Sequence, residues 1–325
     1  MRVPAKKVMA RVFRSTLSYL APSGVILGYH RVSDATWDPL NLAISKKIFR
    51  SHLEIISDKY DPVSLRSLLA MKRQGKSLKG CVSITFDDGC EDFVRHAVPE
   101  LVSRNIPATI FIATGYAGKR FWWDEVSYLM SCRSLDIDKM EIDFGGTGGK
   151  RGFEDLANEE SAGDAVREIC GQLLYLESSR RSDVIDRIRR QTAGDRTPAY
   201  VPCAMTRKQL QELSAIPLVE IAAHSVTHPL LSQLSEDEQL GEIQGSKSEL
   251  EALGKTVTGF SYPNGSFSLQ TCDLVKNCGF GYACTSLQAA VRRRTDCYRL
   301  PRIWAPNVGG QEFRRWMSVW SGLRN

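Results

Sequence analysis

Short, largely apolar runs of strand length recur along the chain at 24–30, 81–86, 107–113 and 218–223. A strand that is apolar on both faces belongs in a sheet covered on both sides, which is the usual state of parallel strands. Between these runs the apolar positions take on a helical spacing, over 45–60, 64–74, 92–104 and 236–253. Ser45 and Ser64 stand where helix N-caps belong, because a serine hydroxyl can accept from the otherwise unpaired N–H groups of the first turn. Strand followed by helix, repeated, predicts βαβ units. Further runs at 256–262, 279–285 and 298–303 bring the count to about seven strands.

The rhythm breaks from 121 to about 202. Charged, helix-prone stretches occupy 159–176 and 181–190, and the glycine-rich Gly145-Gly146-Thr147-Gly148-Gly149 lacks the spacing of a phosphate-cradling loop. This region reads as a helical insertion, placed as a lid over the site. At the other end, Val8, Met9, Val12, Phe13 and Leu17 share one face of a helix whose opposite face carries Lys6, Lys7, Arg11 and Arg14. The chain thus divides into an amphipathic helix at 1–22 and a barrel domain at 23–325. Arg11 and Arg14 interrupt what would be the apolar stretch of a signal peptide, so none is expected. Such a helix packs on its own domain or lies on a membrane surface.

Composition narrows the class. With 325 residues, 42% hydrophobic and 25% charged, the chain is an ordinary globular one and long enough for a single large α/β barrel. A net charge of +6 is too mild to point to nucleic acid. Nine cysteines without a C-x-x-C pair predict free thiols in a reducing compartment rather than a structural zinc site.

Two stretches carry chemistry. The strand at 81–86 runs into Asp87, Asp88 and Gly89, and the carboxyl ends of parallel strands are where ligands bind. Adjacent carboxylates repel, and burying them requires a compensating cation or donors; a turn at Asp88-Gly89 is the plainer reading. The strand at 218–223 runs into His224-Ser225-Val226-Thr227-His228. On one helical turn, residues four apart share a face, so both imidazoles could reach one ion. A carboxylate with two imidazoles suits Zn²⁺, or Co²⁺, Ni²⁺ or Fe²⁺. His52 and His96 fall inside helices and read as structural.

Asp87-Asp88-Gly89, then His224-Ser225-Val226-Thr227-His228, then Phe260-Ser261-Tyr262-Pro263-Asn264-Gly265, in that order, resemble the NodB-like polysaccharide deacetylases, carbohydrate esterase family 4. The resemblance runs from about residue 25 to about 303. It implies a distorted (β/α)₇ barrel that removes N-acetyl groups from N-acetylhexosamine units of a glycan, as in surface polysaccharide synthesis. Carried over, Asp87 is the general base, Asp88, His224 and His228 are the metal ligands, and the N–H of Asn264 is the oxyanion donor. The family's arginine before that proline is absent, and Arg302 is assigned in its place. The family's late histidine is absent too, since no histidine follows His228. Tyr29-His30-Arg31-Val32 resembles an N-terminal Tyr-His motif of some members, which makes His30 the expected general acid. Tyr262, Trp122, Trp123 and Asp124 are the expected substrate-binding residues, with the tryptophans at the site edge. Two other functions compete: a metal amidohydrolase for a small cyclic amide, and a non-catalytic glycan-binding protein. The expected location is cytoplasmic, with membrane contact through 1–22 at the inner membrane.

Overall fold

The computed structural model describes residues 23–132, 139–145, 148–192 and 201–321. The helix expected over 1–22 lies outside the described residues.

The core is a parallel sheet of seven strands taken in chain order: β1 (Val25–Tyr29), β2 (Cys81–Phe86), β3 (Ala108–Ile112), β4 (Val219–Ala223), β5 (Gly259–Ser261), β6 (Tyr282–Cys284) and β7 (Ile303–Trp304). They lie side by side in the order β6-β5-β4-β3-β2-β1-β7, and the two-residue strand Asp61–Pro62 adds to β2. A parallel bridge from Cys284 of β6 to Leu300, with Thr285 N–H donating to the Leu300 carbonyl at 2.8 Å, ties β6 to the segment that leads into β7. The result is a distorted (β/α)₇ barrel. Every residue of β1, β2 and β3 is buried, which is why their sequences are largely apolar, with only the small hydroxyl side chains of Ser83, Thr85 and Thr109 among them.

The last strands are shorter than their sequence patterns. Of the expected 298–303 strand, only Ile303 survives in β7. Pro301 has no N–H to give to a ladder, and the N–H of Tyr298 is taken by the Asp296 carboxylate at 2.9 Å. Over 256–262 and 279–285 only three residues each pair as strand.

Ten helices surround the sheet: α1 (Lys46–Lys59), α2 (Leu65–Arg73), α3 (Val98–Ser103), α4 (Trp122–Cys132), α5 (Glu159–Leu173), α6 (Ser178–Thr192), α7 (Arg207–Ser214), α8 (Glu236–Glu251), α9 (Leu269–Asn277) and α10 (Gly310–Ser321), counted among the described residues. Ser45 and Ser64 cap α1 and α2 through their side chains, accepting from Ile48 N–H and Ser67 N–H. The helix expected over 92–104 opens as a widened turn, Phe93–Ala97, in which Val98 N–H reaches back to Phe93. Pro99 follows and has no N–H, so the regular ladder cannot extend backwards from α3.

The inserted region contains α4, α5 and α6, but it also contains a hairpin of Met140–Asp143 and Lys150–Phe153, which the expectation of a helical insertion missed. The glycine-rich stretch lies between its two strands. Phe121, Val126, Ile142, Val166, Ile169 and Ile188 belong to a hydrophobic cluster of this region's own, separate from the barrel core.

One barrel histidine carries a stability prediction. His52 is fully buried. Tyr29 Oη donates to its Nδ1 at 3.1 Å, its Nε2–H donates to the Val308 carbonyl at 2.6 Å, and Phe313 stacks on it. Burial lowers its pKa to about 4, against a smaller opposing effect of the Val308 hydrogen bond. The unfolded chain takes up this proton near pH 6.5 and the folded one near pH 4, so folding stability falls as pH drops through that window, by up to about 3 kcal/mol from this group. Urea unfolding at pH 7 and pH 5 should show a steeper loss in wild type than in His52→Gln. Equal losses in the two proteins would contradict the assignment.

Candidate active site

The site is assembled where β2 and β4 end. Asp88 and Gly89 take left-handed backbone conformations, with φ of 70° and 95°. Gly89 is needed there for a second reason, because a Cβ would come within 2.9 Å of Ile112 Cδ1. Asp87 N–H donates to the Tyr29 carbonyl at 3.0 Å, and Ala113 N–H donates to the Asp88 carbonyl at 3.1 Å. The turn is therefore pinned to both neighbouring strands, and the two carboxylates diverge toward different partners.

Asp87 faces Arg302. The guanidinium donates from one nitrogen to Oδ1 at 2.6 Å and from the other to Oδ2 at 2.7 Å. Arg302 is fully buried, donates also to Ser261 Oγ at 2.9 Å and to the Thr285 carbonyl at 3.1 Å, and has the Trp304 ring 4.8 Å away. Burial by itself would raise the Asp87 carboxyl, but the Arg302 charge and its hydrogen bonds, with His224 adding, hold it well below the usual carboxylate range. Asp87 is thus a carboxylate held charged and oriented, and the arginine assigned from the end of the chain reaches it.

Asp88 faces the two histidines. Its Oδ1 lies 3.6 Å from His224 Nε2 and 3.5 Å from His228 Nε2, and the three donor atoms all lie within 4.8 Å of one another. His224 donates its Nδ1–H to the Ser261 carbonyl at 2.7 Å, which fixes the tautomer and leaves Nε2 as an acceptor. Burial, and next to it the Asp87 charge, raise the Asp88 carboxyl to about 8, while burial lowers both imidazoles. A buried carboxylate beside two neutral imidazoles, all turned to one point, is the donor chemistry of a divalent cation. The residues fit a metal.

The histidine pair does not sit on a helical turn, contrary to the spacing argument. Ser225 and His228 have φ of 64° and 57°, and Pro229 bars the preceding residue from continuing a helix. A loop holds them instead. Ser225 Oγ accepts from His228 N–H at 3.0 Å. Glu242, reaching over from α8, accepts from the N–H groups of Val226 and Thr227, both at 2.8 Å, and from the Thr227 hydroxyl at 2.6 Å. Sequence reasoning missed Glu242, since nothing in an acid-rich helix marks one glutamate among several. Removing such a supporting group typically costs about 10–100-fold in metal affinity. Glu242→Ala is therefore expected to weaken Co²⁺ binding by that factor in a chelator competition. An unchanged affinity would show that the loop holds itself.

His30 lies one residue past β1 and stacks on Trp304, with centroids 4.5 Å apart and planes at 15°. Trp304 lies against Gly28, where a Cβ would meet its ring at 2.8 Å. Asn264 occupies the tight turn Pro263–Gly265 with φ of 53° and lines the same groove as His30 and the metal donors. Trp122 and Trp123 also line it. Trp123 comes within 4.7 Å of the His228 ring, and Arg181 covers Trp122 at 4.6 Å.

Two expected substrate-binding residues are not in the groove. Tyr262 is fully buried, donates to the Tyr298 carbonyl at 2.9 Å and stacks on Phe267. It follows Ser261 at the end of β5, and alternation sends the serine side chain to Asp87 and the tyrosine into the core. Asp124 is buried in an ion pair with Arg31. Successive residues of α4 point about 100° apart, so a helix that turns Trp123 toward His228 turns Asp124 away from the groove.

The groove has a volume of about 1000 Å³. No helix among the described residues is long and apolar enough to cross a membrane.

Comparison with known proteins gives a consistent set of matches. The family model described as polysaccharide deacetylase matches residues 74–138 and 187–283, leaving out 139–186 inside the inserted region. A poly-beta-1,6-N-acetyl-D-glucosamine N-deacetylase of Staphylococcus aureus is 33% identical over 117 residues, 32% of this chain and 40% of that protein. The match thus spans well under half of that relative's length. Among solved structures, the Streptococcus pyogenes deacetylase PplD in complex with acetate superposes with a TM-score of 0.60 at 18% identity, covering 91% of this chain and 98% of that one. IcaB from Ammonifex degensii does so at 0.60 and 18%, covering 93% and 98%. At such identities these two speak for the fold alone. The family model matched on both sides of residues 139–186, on a barrel of this topology with its acid pair and histidine pair brought to one point, places this chain in the polysaccharide deacetylase family.

Proposed function

We propose that this protein is a metal-dependent hydrolase that removes N-acetyl groups from N-acetylhexosamine units of a glycan. The observation that carries the reading is Asp87, a buried carboxylate kept charged by a bidentate arginine beside the Asp88, His224 and His228 donors. A divalent ion such as Zn²⁺, Co²⁺, Ni²⁺ or Fe²⁺ held by those three would supply Lewis acidity and lower the pKa of water.

The chain's own groups then divide the work. Asp87 takes a proton from the attacking water as its oxygen bonds to the amide carbon. Asn264 N–H donates to the oxyanion that develops on the carbonyl oxygen, an interaction typically worth about 10²–10³-fold in turnover. The C–N bond breaks, and the leaving nitrogen takes a proton from His30, giving acetate and a free amine. Burial lowers the resting His30 imidazole to about 4, with the Asp87 charge opposing. Negative charge developing in the same pocket favours the imidazolium, and the proton that His30 delivers to the leaving nitrogen is the one Asp87 took from the water, so that both groups return to their resting states.

The Staphylococcus aureus relative is named for poly-beta-1,6-N-acetyl-D-glucosamine, which supports a glycan of this sugar and a step in surface polysaccharide synthesis. The groove supports a glycan over a small cyclic amide, which would leave most of its about 1000 Å³ unfilled. Contact of residues 1–22 with the cytoplasmic membrane surface belongs to the same proposal and rests on their amphipathic pattern. Acetate released from N-acetylglucosamine oligomers, and stopped by a chelator, is the expected result. Release from a small cyclic amide but from no glycan would overturn the reading.

A further inference from the structure

We infer that α5 of the inserted region forms a subsite for a saccharide unit next to the reacting one, so that the preferred substrate is a linear chain of several units. This rests on the deacetylase reading above. Glu160, Asp164, Arg167, Gly171 and Leu174 all line the groove that Asp88, His224 and His228 also line. Their spacing of four, three, four and three residues is one continuous stripe along a helix. The groove is therefore lined both by the barrel's Asp87, Asp88, His224 and His228 and by a helix that the matched family model leaves out.

That helix is held in place. Arg167 pairs with Asp164 and donates to the Pro39 carbonyl at 2.8 Å, and a Cβ on Gly163 would sit 3.7 Å from Pro39 Cβ. The loop that follows Pro39 gives Leu40, Asn41 and Leu42 to the groove. On the inner side, Cys170 Sγ lies 3.9 Å from the carbonyl of Trp123, the residue that touches His228.

Gly171 is the informative position. It is exposed, within α5, and a Cβ there would have nothing within 4 Å. Glycine weakens a helix interior, and no neighbour in the protein requires it here. The space it leaves opens onto the groove, where a sugar ring can lie against the helix backbone with its hydroxyls toward Arg167, one turn away on the same stripe.

The test is a length series with the metal-loaded protein, measuring kcat/KM on β-1,6-linked N-acetylglucosamine oligomers, the sugar and linkage in the relative's name. From dimer to hexamer the wild type should gain at least about tenfold, and Gly171→Trp should cut the hexamer-to-dimer ratio at least about tenfold, with Gly171→Ala between. A folded tryptophan variant with the wild-type ratio overturns the subsite. A flat length profile in the wild type overturns it as well, and decides the matter if the variant does not fold. Acetate release from no oligomer of any length overturns the deacetylase reading itself.

Discussion

Arg302→Met is expected to cost about 3–5 kcal/mol of folding stability, the usual penalty for leaving one partner of a buried ion pair uncompensated. Arg302 and Asp87 are both almost completely inaccessible, and the two short hydrogen bonds between them are joined by further ones to Ser261 and Thr285. Methionine fills the space but offers no donor. Without the guanidinium, the largest effect that opposes burial is gone and the Asp87 carboxyl rises from its depressed range, which weakens it as a charged, oriented group. Activity should therefore fall along with stability. Arg302→Lys should recover only part of each, because an ammonium cannot reproduce a planar two-point contact. Urea unfolding of the three proteins, read beside acetate release, checks both halves. A methionine variant as stable as wild type would mean that the pair is not what keeps Asp87 charged.

His30→Ala is expected to lower turnover by about 10²–10⁴-fold, the range for losing a positioned proton donor. It should do so with the metal retained, since His30 is not among the three grouped donors. Truncation removes the ring that stacks on Trp304 without leaving a buried charge unpaired, so folding stability should change far less than in the Arg302 variant. The separation of effects is the diagnostic part. Loss of metal together with activity would mean that His30 supports the ion rather than the leaving nitrogen, and near-normal turnover would remove it from the mechanism.

The strands that build the site were legible because burial leaves a short, mostly apolar run, as in Cys81–Phe86 and, apart from Glu220, Val219–Ala223. The acid pair and histidine pair could be found because each directly follows such a run. What spacing does not record is direction. Tyr262 was assigned to substrate and is a core residue, because it sits one position after the serine that faces Asp87. The loop at His224 was read as a helical turn, although Pro229 and two left-handed residues forbid one. Partners brought together by the fold are less legible still. Arg302 pairs with a carboxylate 215 positions away, and it could be guessed only from the resemblance and its place at a strand end. Glu242 had no signal at all. The hairpin in the inserted region was hidden for another reason: its strands are four residues each and partly exposed, with apolar residues too few to outweigh the helical sequence around them.

The measurement that tests the central claim most directly is metal content by elemental analysis together with acetate release from N-acetylglucosamine oligomers, on the same samples of wild type and Asp88→Ala. The account predicts about one divalent transition metal per wild-type chain with acetate released, and both lost in the variant. Acetate released at the wild-type rate by a metal-free Asp88→Ala protein would contradict it.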